Sequence, residues 1–296
     1  MNIAGIELSN PDRVLFPEQG LTKRDVAQYY DAIASWMLPH VAARPFSLVR
    51  CPAGRQKACF YQKHWGGRLP KAVKTIDIEE GKGGIRAYTV IYETAGLVSL
   101  VQHGVLEFHL WGARADQIEA PDRIIFDLDP APGVPWSRVK EAAKMLRQLL
   151  LALKLESWIK TTGGKGIHVV IPIERRSSWE EVAGFARAVA YHIAREDPGR
   201  YLAVASKAAR KGRIFIDWLR NTRGATAIAP WSTRAREGAP ISAPLDWDEL
   251  DRLKSGEQFN VKNALKWAHR RKVDPWASLL KAKQRLTRSH IAALEA

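Results

Sequence analysis

The sequence predicts an α+β fold with largely antiparallel sheets and flanking helices, and three observations favour this class. Segments with the apolar periodicity of strands and of helices both occur, but they do not alternate strictly along the chain. Apolar residues make up 46% of the 296 residues, which is enough to bury a substantial core. Because we find no repeat or low-complexity tract, we expect one domain over 1–296, with an N-terminal lobe at about 1–110 and a core at about 111–290.

In the first half of the chain, the clearest helix signal begins at Thr22. This residue is a suitable N-cap for a helix whose apolar residues, from Val26 to Met37, recur on one face as far as Pro39. Beyond it, the pattern predicts a strand at 46–50, a turn-rich basic stretch at 51–84, a helix at 93–103 and a strand at 105–111.

In the second half, an apolar run at 123–128 ends in acidic residues and is typical of a buried strand. The pattern further predicts helices at 136–155 and 178–195, and strands at 157–160, 167–173 and 213–218. The C-terminal third is expected to hold short helices with exposed basic faces.

The charge of the chain is strongly positive and unevenly distributed. Lys and Arg number 46 against 31 Asp and Glu, a net charge of +15, which suggests a polyanionic partner. Between residues 203 and 236, Asp217 is the only acid among eight basic residues, which include Lys207. Between residues 262 and 288, Asp274 is the only acid among nine basic residues. Such clustering predicts a surface that binds phosphate groups.

Cys51 and Cys59 are the only cysteines, and their spacing matches no paired motif. We therefore expect neither a disulfide framework nor a zinc site, and the absence of a framework favours a reducing cytoplasm. The N-terminus has no apolar signal core and no apolar run is long enough to span a membrane, so no membrane partner is expected.

The most informative motif is the run Ile-Ile-Phe-Asp-Leu-Asp-Pro, which contains Asp127 and Asp129. On a strand, residues i and i+2 point to the same face, so the two carboxylates are expected to lie side by side. Carboxylates this close repel each other, and hard oxygen ligands favour Mg²⁺ or Mn²⁺. Taken alone, the motif equally fits a strand that ends in solvated acids before a proline turn.

A glycine-rich loop, Thr-Thr-Gly-Gly-Lys-Gly-Ile-His, follows at 161–168. Its glycines allow the backbone to approach a phosphate, Lys165 adds a positive charge, and His168 can reach the same anion. The spacing is not that of a Walker A loop. Alone, the segment also fits an ordinary glycine hairpin.

A third acid, Asp217, ends another apolar strand in the most basic part of the chain. It fits a salt-bridge partner of the neighbouring arginines. Beside Asp127 and Asp129, it would instead complete a two-metal site that activates a hydroxyl and stabilises a leaving pyrophosphate.

Taken in order, the motifs FDLDP, TTGGKGIH and FIDWLRN resemble those of the archaeo-eukaryotic primase superfamily, and within it the polymerase domain of bacterial ATP-dependent DNA ligase D. The resemblance runs from Leu8 to about Ala282. It implies a primase-like catalytic core of two mixed or antiparallel sheets with flanking helices. Because the chain lacks the Lys-x-Asp-Gly motif of a DNA ligase, we expect an excised domain or a stand-alone relative.

The implied activity is that of a metal-dependent DNA polymerase, a nucleotidyltransferase that adds rNTP or dNTP to primer 3′ ends and fills gaps, with or without a template. Its implied context is double-strand break repair by non-homologous end joining. The implied cofactors are Mn²⁺ or Mg²⁺, held by Asp127, Asp129 and Asp217. The implied partners are gapped or broken DNA with a 5′-phosphate, Ku, and the ligase and nuclease modules of ligase D. A monomer in the bacterial cytoplasm, associated with the nucleoid, is expected.

The resemblance also assigns residues to nucleotide and DNA. The nucleotide would be bound by Thr162, Gly164, Lys165, His168, Arg220, Arg234 and His109. DNA would be bound by Asn10, Arg13 and Lys23, which resemble a pocket for the downstream 5′-phosphate, by Phe60 and Tyr61, which resemble a base-stacking pair, and by Arg210 of a mobile loop. Ala225 stands where relatives can carry a lysine, which removes one candidate phosphate contact.

Two other functions fit part of the sequence. A haloacid-dehalogenase-like phosphatase also begins with an apolar run and Asp-x-Asp, but here Pro130 follows the second acid and the later lysine and acidic pair are not evident. A non-catalytic DNA-end-binding module would explain the basic charge. It would not explain three acids on a phosphate-binding surface, since these weaken DNA affinity unless a metal compensates for them.

Overall fold

The computed structural model describes residues 1–206 and 208–295, without the side chains of Lys82 and Glu295. Lys207 of the basic cluster therefore lies outside the described residues. The chain forms two compact units. The first unit comprises 1–111, 228–243 and 259–274, and the second comprises 112–227, 244–258 and 275–296.

The elements are numbered in chain order. The strands are β1 (Asn2–Ile3), β2 (Ile6–Glu7), β3 (Val14–Phe16), β4 (Leu21–Thr22), β5 (Phe46–Arg50), β6 (Phe60–Gln62), β7 (Lys74–Glu79), β8 (Ile85–Val90), β9 (Val105–Trp111), β10 (Arg123–Pro130), β11 (Trp158–Thr161), β12 (Ile167–Pro172), β13 (Tyr201–Leu202), β14 (Ile214–Asp217), β15 (Thr226–Ile228) and β16 (Pro244–Leu245). The helices are α1 (Lys23–Val41), α2 (Thr94–Gln102), α3 (Trp136–Ala152), α4 (Trp179–Glu196), α5 (Ala264–Arg271) and α6 (Arg288–Glu295). The predicted α+β class with antiparallel sheets is confirmed.

The first unit is built on an antiparallel sheet in which β5 lies between β9 and β8, with β6 also paired to β5 and β7 paired to β8. Helix α1 begins as predicted, because the Thr22 hydroxyl accepts a hydrogen bond from the N–H of Asp25 and the Asp25 carboxylate accepts one from the N–H of Thr22. The helix does not end at Pro39 but continues to Val41. Its buried Tyr30 packs edge-on against Phe108 of β9 and so fixes the helix on the sheet.

The second unit is built on a six-stranded sheet in the order β13-β14-β10-β12-β11-β16. All of its pairings are antiparallel except that between β13 and β14. The central strand β10 is apolar on one face, where Ile124, Phe126 and Leu128 are fully buried. Helices α3 and α4 both contact this strand. Because side chains alternate along a strand, Asp127 and Asp129 lie on the opposite face, as the sequence predicted.

The basic stretch at 51–84 differs from its prediction, since it contains β6 and β7 and leads into β8. Cys51 and Cys59 form a disulfide, so the expectation that they make no disulfide framework is wrong. The physical reason is a tight turn, in which the N–H of Gly54 donates to the carbonyl of Cys51 and the N–H of Lys57 donates to that of Gly54. The turn brings the two Cα atoms to 4.3 Å, close enough for the sulfur atoms to bond.

Within the described ranges, no helix combines the length and apolar character that crossing a membrane requires.

Candidate active site

A row of four polar residues crosses the sheet of the second unit. Asp217 of β14 is the register partner of Asp127 on β10, which is in turn the partner of His168 on β12. His168 is the register partner of Lys160 on β11. Because directly opposite residues share a face of the sheet, four strands each contribute one side chain to the same surface.

Asp129 completes the predicted acidic triad, since it lies two residues beyond Asp127 on the same face of β10. The three acids are thus brought together by strand register and not by proximity in the sequence. Asp127 and Asp217 are largely buried, with side chains 13% and 12% exposed, whereas Asp129 is 46% exposed.

Two arginines neutralise this acidic cluster. Arg220 places Nη2 3.2 Å from Oδ2 of Asp127 and Nε 3.1 Å from Oδ2 of Asp217. Arg210 forms an ion pair with Asp129, and its guanidinium stacks 4.3 Å from the ring centroid of Phe215. Both arginines were predicted site residues, and the structure places both of them in the acidic cluster.

The turn that carries Arg220 is fixed to the central strand by its neighbour Asn221. The Asn221 side chain accepts a hydrogen bond from the N–H of Ile125 and donates one to the carbonyl of the same residue, both at 2.7 Å. Asn221 is 2% exposed. Ile125 lies two residues before Asp127 on β10. Because the buried Asn221 amide bonds this residue twice, the turn has little freedom and Arg220 is held beside Asp127.

The three carboxyl groups differ in their pKa values. Burial acts to raise the pKa of Asp127. The interaction with His168, which includes a hydrogen bond and, at acidic pH, a positive charge, outweighs burial together with the charges of Arg220 and Lys160 and holds that pKa below the usual value. Burial and the charge of Asp127 raise the pKa of Asp129. Burial also raises the pKa of Asp217, where Arg220 opposes the shift and Asp127 adds to it. Asp127 is therefore the acid whose negative charge the site stabilises most.

His168 is 2% exposed, and its Nε2 lies 3.4 Å from Oδ2 of Asp127. Burial and the charge of Lys160 lower the pKa of His168 to about 4, so its imidazole is neutral at pH 7. Its buried Nδ1 has no hydrogen-bond partner among the residues that the structure describes. A buried polar atom in this state is a position at which a ligand atom can bond.

The glycine-rich loop is closed by Thr162, whose hydroxyl donates to the carbonyl of Gly166 at 3.1 Å and accepts from its N–H at 3.3 Å. Gly163 has φ +64°, a left-handed conformation that favours glycine, and Lys165 is exposed at the tip. The loop packs closely on β10, because a Cβ on Gly166 would lie 2.8 Å from the carbonyl oxygen of Leu128 and 3.3 Å from Oδ1 of Asp127. Gly164 is buried beside it.

The donor set of this surface fits a divalent metal ion. Three carboxylates share one face, and mutual repulsion contributes to raising the pKa of two of them, which is the situation that a bound cation relieves. As these side chains stand, no group of three or more His, Cys, Asp or Glu residues in the described part of the chain is arranged to hold a metal. The carboxylates are paired with Arg210 and Arg220 instead.

His109 and Arg234, both predicted to meet the nucleotide, belong to the first unit and lie together there. Both contact Glu107 on β9, His109 through Nε2 at 2.8 Å and Arg234 through Nε at 3.1 Å. Tyr61 packs its ring edge-on against His109, with centroids 5.9 Å apart. Tyr61 is 56% exposed, as a residue that stacks on a base would be.

Phe60 is 46% exposed, and alternation along β6 directs it to the face opposite Tyr61. The guanidinium of Arg50 lies 5.5 Å from its ring centroid. The predicted aromatic pair is therefore divided between two faces of the sheet. Both rings are exposed, so neither residue is packed in the core.

The predicted phosphate ligands Asn10, Arg13 and Lys23 are brought together by backbone bonds. The N–H of Arg13 donates to the carbonyl of Asn10, and the N–H of Lys23 donates to that of Arg13. The ammonium of Lys23, which is 4% exposed, donates to the carbonyl of Ser9 at 2.7 Å. Burial and the charge of Arg13 lower the pKa of Lys23, so two cations are held close together in spite of their repulsion.

Reasoning from the sequence missed three residues of these sites: Lys160, Glu107 and Asn221. Lys160 directly precedes the glycine loop and Glu107 lies two residues before His109, so strand periodicity applied to each motif would have found both. No local signal indicated that Asn221 bonds the backbone of β10, because that contact joins residues far apart in sequence.

Comparisons with known proteins agree with this geometry. The family model for the LigD primase-polymerase domain matches residues 22–276. The multifunctional non-homologous end joining protein LigD of Pseudomonas aeruginosa is 38% identical over 287 residues, which are 96% of this chain and 34% of that protein. The LigD protein of Mycolicibacterium smegmatis is 35% identical over 247 residues, which are 83% of this chain and 32% of that protein. The chain thus spans about one third of the length of these relatives.

A solved structure resembles most of the chain. It is the polymerase domain from Mycobacterium tuberculosis ligase D in complex with DNA, with a TM-score of 0.86 and 29% identity. The match covers 93% of this chain and 98% of that one.

Proposed function

Since the chain belongs to the LigD primase-polymerase domain family, we propose that it is a metal-dependent nucleotidyltransferase that extends primer 3′ ends during double-strand break repair by non-homologous end joining. The observation that carries the proposal is the face of the second sheet on which Asp127, Asp129 and Asp217 meet. Three carboxylates on one face repel each other, and a bound cation relieves that repulsion.

Asp127, Asp129 and Asp217 would hold two divalent ions, Mg²⁺ or Mn²⁺, which when bound supply the positive charge that activates the primer hydroxyl and stabilises the leaving pyrophosphate. Asp127 is the strongest candidate ligand, because its low pKa keeps it ionised. Asp217 is held in orientation by the N–H of Leu219, which donates to its Oδ1 at 3.0 Å.

The incoming triphosphate is proposed to bind the glycine loop, with Lys165 and Arg220 as cations and the backbone around Gly164 close to a phosphate. Neutral His168 can bond a phosphate oxygen or a sugar hydroxyl through Nδ1. In the first unit, His109 and Arg234 are proposed to contact the nucleotide, which is either a ribo- or a deoxyribonucleotide.

DNA is proposed to bind the first unit through Asn10, Arg13 and Lys23, which would hold the 5′-phosphate downstream of a gap, while the exposed Phe60 and Tyr61 stack on bases. In the second unit, Arg210 is proposed to contact the DNA. Ku and the ligase and nuclease modules are proposed partners, since the relatives are named as multifunctional end-joining proteins.

The test is primer extension on gapped DNA with Mn²⁺ or Mg²⁺, together with DNA affinity at one fixed salt concentration. Asp127→Ala should abolish nucleotide addition and leave DNA affinity largely intact. Asp248→Ala, which removes an exposed acid of the same unit, is the matched control and should extend normally. Binding of DNA without any extension by the wild type would favour a non-catalytic end-binding module, and robust extension by Asp127→Ala would remove the basis of the proposal.

A further inference from the structure

Glu107 is a buried acid on β9 whose carboxylate has three partners. Nε2 of His109 lies 2.8 Å from Oε2, Nε of Arg234 lies 3.1 Å from the same oxygen, and the N–H of Ala235 donates to Oε1 at 2.8 Å. The side chain is only 8% exposed. Burial alone would raise the pKa of Glu107, but His109 and Arg234 outweigh it and hold the pKa at about 2.

The partners of Glu107 come from two parts of the first unit. His109 lies two residues further along β9 and therefore on the same face, whereas Arg234 and Ala235 lie on the returning segment at 228–243. One carboxylate thus ties the strand to that segment. A buried carboxylate is costly unless its oxygens are bonded, so the contacts fix the directions of all three partners.

We propose that Glu107 is a positioning residue for the nucleotide, one that orients the His109 ring and the Arg234 guanidinium as a pair. The inference rests on the proposed function, in which His109 and Arg234 contact the nucleotide. By accepting from Nε2, the carboxylate keeps a proton on that nitrogen and sets the ring plane. Through the ion pair at Nε of Arg234, it restrains the position of the guanidinium. Glu107 itself touches no substrate, because an ionised carboxylate would repel a triphosphate.

The experiment compares Glu107→Gln with Asp77→Asn. Asp77 is exposed on β7 of the same unit, so the control removes an equal charge from a position outside the site. Measured quantities are kcat and KM for the nucleotide, DNA affinity, thermal stability and the ¹⁵N chemical shifts of the His109 imidazole. Glu107→Gln should raise KM about tenfold while kcat and DNA affinity change little, since one charge-assisted contact is weakened. The ¹⁵N shifts should move, and Asp77→Asn should match the wild type.

His109→Ala and Arg234→Ala in the same assay separate the inference from the function on which it rests. If His109→Ala and Arg234→Ala each raise KM, but Glu107→Gln folds and leaves KM unchanged, Glu107 has no positioning role. If neither raises KM, the proposed nucleotide contacts in the first unit are wrong. Should Glu107→Gln fail to fold, Glu107→Asp keeps the charge with a shorter reach: a raised KM with shifted ¹⁵N signals supports the inference, and a wild-type KM overturns it.

Discussion

At the scale of single residues, the chemistry of the second unit depends on which buried groups carry charge. Burial, together with the positive charges of Lys160 and Arg220, lowers the pKa of His168 and keeps its ring neutral. The same two charges help to keep Asp127 ionised, because they stabilise an anion and disfavour a further cation. The site therefore offers a fixed negative charge beside a neutral hydrogen-bonding ring. These states depend on strand register, so the sequence could indicate the residues but not their protonation.

His168 allows a prediction about which ring nitrogen meets the nucleotide. Its Nε2 faces Asp127, and its Nδ1 has no bonding partner within the described ranges. An Asn amide can replace Nδ1 and a Gln amide can replace Nε2. We expect His168→Asn to keep more nucleotide affinity than His168→Gln, with the difference worth about 1–2 kcal/mol in dissociation constants measured by titration. Equal losses in the two variants would show that Nδ1 is not the contact atom.

Glu107 allows a prediction about acid stability. Its pKa is lowered from 4.5 to about 2, so its contribution to the free energy of unfolding is present above pH 4.5 and is lost as the pH falls towards 2. Glu107→Gln should be less stable than wild type at pH 6 by up to about 3 kcal/mol, and the difference should shrink at pH 3. Urea unfolding of both proteins at pH 6 and pH 3 measures this difference in the free energy of unfolding. A difference that is independent of pH would mean that packing, not charge, accounts for the loss.

At the scale of elements, the glycine loop packs closely on β10, beside the acids of the candidate site. The period of two in the sequence correctly placed Asp127 and Asp129 on one face, since that period depends only on local geometry. The pairing of Asp127 with both Asp217 and His168 could not be predicted, because register between distant strands is set by tertiary packing. The turn at Gly54 that pairs Cys51 with Cys59 was missed although it is local, because the spacing of the two cysteines matches no paired motif.

Gly166 tests how closely the loop must approach β10. A Cβ there would meet a backbone oxygen at 2.8 Å, so Gly166→Ala should push the loop away from Asp127. We expect a loss of about 1–3 kcal/mol in stability and a large drop in nucleotide addition. Gly184→Ala is the matched control, because Gly184 lies inside α4 with nothing within 4 Å of its added Cβ, and this variant should gain about 0.5–1 kcal/mol. Full activity of Gly166→Ala would show that the close approach is dispensable.

At the scale of the whole molecule, the net charge of +15 indicated a polyanionic partner but not where it binds. The boundaries of the longer elements were predicted within a few residues, because periodicity and capping are local. The division of the chain into two units was harder to predict, since each unit draws on three separate segments. The order of the elements along the chain does not reveal which later segments pack with residues 1–111 in the first unit.

The cluster of Asn10, Arg13 and Lys23 leads to a prediction for DNA ends. Two cations held together should attract a 5′-phosphate, so gapped DNA with a 5′-phosphate should bind more tightly than the same DNA with a 5′-hydroxyl. The difference should be about 1–3 kcal/mol and should vanish in Arg13→Ala/Lys23→Ala. Both substrates must be measured at one salt concentration, because salt screens all phosphate contacts. If the wild type shows no preference, or the double variant retains it, the 5′-phosphate does not bind there.

The polar row from Asp217 to Lys160 has a consequence for how such a protein can evolve. Each of the four strands supplies one member, and a slip of one residue in any strand would turn its member to the opposite face. Point substitutions around the row leave this alignment intact, whereas deleting a single codon within β10, β12 or β14 shifts it. Lineages that carry this row should therefore accumulate their length variation in the connecting loops and almost none within these strands.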